Sequence, residues 1–88
     1  MTGKALDLNE IIDTLAEMIA NKKEIDVAEI QPDSKLLELG LDSLDTFDLI
    51  FNAEYHFDVK FPKEYGVITT LKDVAELTHE LIQEKLAA

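Results

Sequence analysis

Apolar residues at Leu8, Ile11, Ile12, Leu15 and Ile19 follow the i, i+3, i+4, i+7 spacing of one helix face, while Glu10, Asp13 and Glu17 fall elsewhere on the wheel. This predicts an amphipathic helix over about residues 8–21. Asp7 is its N-cap, and Lys22 and Lys23 complement the dipole at its C-terminal end. Residues 24–42 keep no period and contain Pro32 and Gly40, which predicts a long first loop, functional or mobile. Ile25, Val27, Ile30, Leu36, Leu37, Leu39 and Leu41 are too many apolar residues for a solvated linker, so the loop is expected to pack on the core. A second helix opens at Asp42, has Asp45 at N3 as the acid of a capping box, and runs to about Phe57 before the break at Pro62. Residues 63–68 allow at most a short helical turn, because Gly66 discourages more. Thr70, with Asp73 three residues on, starts a last helix with Leu71, Val74, Ala75, Leu81 and Ile82 on one face. The expected fold is all-α: a small four-helix bundle of three main helices plus one short helix, forming a single domain over 1–88.

The second helix carries more apolar surface than a bundle needs. At about 100° per residue, Leu44, Phe47, Phe51 and Tyr55 form one stripe and Leu49, Ile50, Ala53 and Phe57 another, roughly opposite. Either the helix is enclosed in a tight core or one stripe faces a partner. Asp48 and Glu54 flank the first stripe, and burying them unpaired is costly. The 49/50/53/57 stripe is therefore assigned to the core and the 44/47/51/55 stripe to a partner.

Composition restricts the chemistry. Without cysteine there are no disulfides or thiolate metal sites, and 88 residues bury only about 60–65% of their unfolded surface, so stability rests on a compact aliphatic core. Three Gly and two Pro argue against a turn-rich β-sandwich. No segment nears the ~18 apolar residues of a membrane span, and the opening residues lead into an acidic amphipathic stretch without a signal-peptide core, so a reducing cytoplasmic setting, or an organelle after loss of a transit peptide, is expected. The net charge is −11, and residues 42–58 hold five acids and no base. Such a field disfavours nucleic acid and anionic membranes and steers basic partners inward. Solubility alone accounts for the overall acidity, but less well for its concentration in that segment.

Ser43 begins the second helix, where free N–H groups and the dipole favour a phosphate ester, although a serine there commonly serves only to stabilise the helix end. Its surroundings, Glu38-Leu39-Gly40-Leu41-Asp42-Ser43-Leu44, resemble the acidic-L-G-x-D-S-L signature of acyl carrier proteins. The resemblance continues without a gap from Asp42 to Pro62, including Phe57-Asp58, and extends to Ile68-Thr69-Thr70-Leu71 at the start of the last helix. It implies a 4′-phosphopantetheine arm, taken from coenzyme A, in phosphodiester linkage to Ser43, with Asp42 and Leu44 completing the site. Asp42 would help a phosphopantetheinyl transferase recognise the site and position its metal. The arm would hold acyl intermediates as thioesters for partner enzymes of fatty-acid or related lipid or polyketide biosynthesis. Leu44, Asp45, Phe47, Asp48, Phe51 and Glu54 occupy the family's docking positions, and Tyr55 continues the same face. The protein would be a monomer that catalyses nothing and holds no resident metal.

This sequence also departs from the family's pattern. Tyr55 and His56 stand where further acids are common, two phenylalanines occupy the recognition face, and Lys63-Glu64-Tyr65-Gly66-Val67 replaces an acidic short helix. These changes suggest a specialised carrier whose partners rely more on apolar contact. Ala53 stands where leucine is common; unless Phe57 or Tyr65 fills the space, part of an acyl chain fits there. An enzyme is disfavoured because there is no G-x-S-x-G elbow and His56 and His79 lie far from Ser43. An aminoacyl or peptidyl carrier, or an unmodified carrier-like interaction module, remain the alternatives.

Overall fold

The computed structural model describes residues 7–63 and 68–87. Three α-helices, α1 (Leu8–Lys23), α2 (Ser43–Phe57) and α3 (Leu71–Ala87), are joined by connections that include two 3₁₀ turns, Val27–Glu29 and Leu36–Leu39. Among the described residues there is no strand, only an isolated antiparallel bridge between Lys35 and Thr70. The all-α architecture is the expected one. The short helix expected over 63–68 falls on residues 64–67, outside the described residues.

Local chemistry explains each helix boundary. Glu10 accepts the Asp7 backbone N–H at 3.3 Å at the start of α1. Its far end runs to Lys23, two residues beyond the sequence estimate, and closes at Glu24 in the left-handed conformation, φ 56°. The Glu24 and Ile25 amides both return to the Ala20 carbonyl. α2 stops the same way at Asp58, φ 55°. There Lys85 of α3 donates to the Asp58 carbonyl oxygen at 2.7 Å and to its Oδ2 at 2.6 Å. At the head of α3, the Asp73 carboxylate accepts the amides of Thr69 and Thr70, each at 2.9 Å, and Thr70 Oγ1 accepts the Asp73 amide at 3.2 Å.

α3 packs chiefly along α1, and α2 leans on both. Ile11, Leu15 and Ile19 of α1 meet Leu71, Val74 and Ala75 of α3 in a core that α2 completes with Leu49, Ile50 and Ala53. Each large aliphatic side chain fully buried there contributes about 1.5–3 kcal/mol. The Thr78 hydroxyl, also buried, donates to the Val74 carbonyl at 2.8 Å.

The first loop packs on the core only in part. Ile30, Leu36 and Leu41 are buried, as expected, but Val27 and Leu37 are exposed. A 3₁₀ turn has three residues per turn, so neighbours such as Leu36 and Leu37 point about 120° apart and only one can face the core. Backbone bonds tie this loop to the start of α3: Leu36 N–H to Thr69 O at 2.9 Å, Leu71 N–H to Ser34 O at 3.1 Å and Lys72 N–H to Pro32 O at 2.8 Å.

Candidate functional site

Gly40 sets up the approach to Ser43. It closes the Leu36–Leu39 turn at φ 89°, a left-handed conformation in which glycine avoids steric strain. Leu41 then donates its amide to the Leu36 carbonyl at 3.0 Å and buries its side chain. With the chain anchored there, Asp42 emerges as the cap of α2: its Oδ1 accepts the Asp45 amide at 2.9 Å, and Asp45 Oδ2 accepts the Asp42 amide at 3.5 Å. Thr46 Oγ1 donates to the Asp42 carbonyl at 2.9 Å.

Ser43 is the first residue of α2 and is exposed. Because Asp42 supplies the cap, the serine hydroxyl is not needed to stabilise the helix end, and it makes no hydrogen bond among the described residues. The positive end of the helix lies beneath it. Beside it opens a cavity of about 340 Å³, lined mainly by the apolar groups of Leu36, Leu37, Leu41, Phe47 and Ile68, with Ser43 and Asp42 at its edge. The Leu36 N–H to Thr69 O bond joins two of its lining stretches. An exposed hydroxyl at a helix N-terminus beside an apolar recess can carry a phosphodiester whose distal, apolar cargo folds back against the protein.

The two stripes of α2 separate as expected. Leu49, Ile50 and Ala53 are buried and Phe57 packs against them. On the other side Leu44 is 73% exposed, Phe47 49%, Phe51 64% and Tyr55 92%. This face runs away from Ser43 along the outside of the bundle.

The structure adds internal partners for the acids of the same segment. Lys22 Nζ lies 2.9 Å from Asp48 Oδ2 and 3.6 Å from Asp45 Oδ1, and Lys23 Nζ lies 2.8 Å from Asp45 Oδ2. The Lys23 hydrogen bond, with help from the Asp42 amide and Lys22, holds the Asp45 carboxyl below its ordinary 3.8 against the opposing effect of desolvation. The Asp48 hydrogen bond raises Lys22 above its ordinary 10.5. Glu54 Oε2 accepts the Phe61 amide at 2.6 Å and so braces the turn that leaves α2.

Sequence reasoning did not find Lys22 and Lys23 as part of this site. They stand 22 and 26 positions from Asp45 and Asp48 at the nearest and farthest, a separation with no local signature. Leu37, Ile68 and Thr69 were likewise invisible as walls of one cavity. Ala53 is fully buried and does not line that cavity, while Tyr65 lies outside the described residues. Among the described residues neither His56 nor His79 hydrogen-bonds Ser43. His56 meets Phe57 edge-on at 4.8 Å, and His79 approaches Gln83 at 3.5 Å. No described helix is long and apolar enough to cross a membrane, and no group of three or more His, Asp or Glu among the described residues is arranged to hold a metal ion.

Residues 13–81 match the family described as "Phosphopantetheine attachment site". The chain is similar to an acyl carrier protein of Chlorobium phaeovibrioides, 43% identical over 56 residues that cover 62% of this chain and 72% of that protein. It is also similar to acyl carrier protein 5, chloroplastic, of Arabidopsis thaliana, 32% identical over 80 residues, which cover 89% of this chain and 58% of the relative. A third relative is acyl carrier protein AcpXL of Rhizobium etli, 43% identical over 53 residues, covering 59% of this chain and 58% of that protein. The chain thus spans little more than half the length of the plant and Rhizobium relatives.

Proposed function

The chain belongs to the acyl carrier protein family, whose cofactor is a covalent 4′-phosphopantetheine, and from that membership we propose that Ser43 bears the arm and that the protein carries acyl groups on it as thioesters. The observation that carries this reading is the exposed Ser43 hydroxyl, released from capping by Asp42 and set at the mouth of an apolar cavity. When bound, the arm supplies the thiol that a chain without cysteine lacks.

In loading, the Ser43 oxygen displaces the adenosine bisphosphate portion of coenzyme A from the phosphorus that bears the pantetheine unit. One P–O bond forms, another breaks, and the serine proton passes to a base of the phosphopantetheinyl transferase. Asp42 keeps the turn rigid and helps the transferase place its metal. The free N–H groups at the start of α2 would hold the phosphodiester, and Leu37, Phe47 and Ile68 would offer an apolar lining to the cargo. The chain holds and presents substrate while chemistry takes place on its partners.

Those partners are the transferase and the acyl-transfer and biosynthetic enzymes of fatty-acid or related lipid or polyketide synthesis. They dock on Leu44, Asp45, Phe47, Asp48, Phe51, Glu54 and Tyr55 through patches that are basic at their edges and apolar at their centre. The exposed aromatic content of this face supports a specialised carrier.

Incubation with coenzyme A and a broad-range phosphopantetheinyl transferase, followed by intact-mass measurement, tests the attachment. The wild-type chain is expected to gain one phosphopantetheine and Ser43→Ala none. An unmodified wild-type chain would overturn the reading in favour of an interaction module. Retained modification in Ser43→Ala would place the arm elsewhere.

A further inference from the structure

All five acids of residues 42–58 already have partners inside the fold. Asp42 accepts the Asp45 amide, Asp45 and Asp48 face Lys22 and Lys23, Glu54 accepts the Phe61 amide, and Asp58 pairs with Lys85. Three of the five, Asp45, Asp48 and Asp58, face a lysine, so part of the negative density evident in the sequence is answered before any partner arrives. For Asp45 and Asp48, two lysines from the last turn of α1 provide the answering charge.

Lys22 and Lys23 side chains are 29% and 27% exposed and Asp45 between them is 22% exposed, so this part of the cluster is partly covered, while Asp48 is 60% exposed and its pairing with Lys22 lies at the surface. The Lys23 stem passes close to Gly40: a Cβ built there would lie 3.8 Å from Lys23 Cε, at ordinary contact distance from the turn that presents Ser43. Both ammonium groups also sit at the negative end of α1. On the same helix as Asp45 and Asp48, Leu44, Phe47 and Phe51 are exposed among the described residues.

Taking the acyl-carrier reading as its basis, we infer that Lys22 and Lys23 are specificity-determining residues, internal counter-ions that a basic partner must displace from Asp45 and Asp48 before those acids can contribute to docking. Charge complementarity gives such partners little until the lysines are moved, whereas apolar contact is available at once. The carrier therefore favours enzymes with an apolar docking centre and discriminates against enzymes that recognise it by charge alone.

The test uses steady-state kinetics of a phosphopantetheinyl transferase with a basic docking patch, with the carrier as varied substrate, for wild type and for Lys22→Gln, Lys23→Gln and the double variant. KM for the double variant is expected to fall on the order of threefold to tenfold at low salt, with kcat unchanged. The salt dependence of KM should steepen relative to wild type, and Lys22→Arg with Lys23→Arg should restore wild-type behaviour. A purely structural role predicts lower stability with no such shift in KM. An unchanged or higher KM in folded variants overturns the inference. A synthetic amphipathic helix of leucine and lysine, titrated onto the chain and followed by amide chemical shifts of α2, gives a readout independent of modification. Tighter binding by the double variant supports the counter-ion role, and equal binding refutes it. Should no chain be modified, the attachment reading fails and the peptide titration alone decides the inference.

Discussion

Replacing Leu49 by alanine and, separately, Phe51 by alanine tests the central structural assignment, since the two residues are two positions apart on α2 and differ in their surroundings. Leu49 is 1% exposed within the core, and Phe51 is 64% exposed on the outer face. Leu49→Ala removes the isopropyl group of a fully enclosed side chain from the core shared with α1 and α3 and leaves a void, which costs about 2.7–5 kcal/mol. A domain of this length has roughly 4–13 kcal/mol of stability in total, so the variant loses a large share of it. At about 4–8 °C per kcal/mol, its Tm should fall by at least about 10 °C. Phe51→Ala removes a larger side chain but creates no cavity, and its stability should change by no more than about 0.5 kcal/mol. Urea unfolding followed by circular dichroism measures both, and an unchanged m-value licenses the comparison. In the same proteins, the KM for phosphopantetheinylation should rise for Phe51→Ala and not track stability. If Phe51→Ala were as destabilising as Leu49→Ala, α2 would be enclosed on both sides and the outer stripe could not serve as a docking face.

Gly40→Ala meets no steric obstacle, since the nearest atom would be 3.8 Å away, but it forces φ 89° on a residue with a side chain; thermal unfolding should show a loss of about 1–2 kcal/mol. Glu24→Gly works the other way: its φ of 56° is strained for glutamate, and calorimetry should show a gain of about 0.5–1 kcal/mol. The Asp73 carboxyl is held below its ordinary 3.8 chiefly by the Thr70 and Thr69 amides, so the unfolded chain takes up that proton first. The stabilisation is complete above the ordinary value and is lost as pH falls through the lower folded value. Asp73→Asn should therefore be less stable than wild type at neutral pH, with the gap closing as the solution is acidified below about pH 4, measured by denaturant titrations across that range.

Much of this molecule could be read from local order along the chain. The 3.6-residue spacing of Leu8 to Ile19, the Asp42–Asp45 cap and the Thr70–Asp73 cap each depend on groups within a few residues of one another, so the helix starts and the position of Ser43 followed directly, whereas the end of α1 lies two residues further on than its spacing indicated. The division of α2 into core and outer stripes was also legible, because helix geometry fixes which side chains share a face and the flanking acids decide which face can be buried. Tertiary structure alone decided what lies across from each side chain. Lys22 and Lys23 looked like residues complementing the α1 dipole, and only the packing of α1 on α2 brings their ammonium groups to within 3 Å of Asp48 and Asp45 respectively. Glu54 looked like a free docking acid until the turn after α2 set the Phe61 amide against it. The cavity beside Ser43 draws on three separate stretches of chain, held together by backbone hydrogen bonds between the first loop and the start of α3. Pairings between residues far apart in sequence leave no periodic trace in it; they arise from the particular distances at which packed helices come to rest.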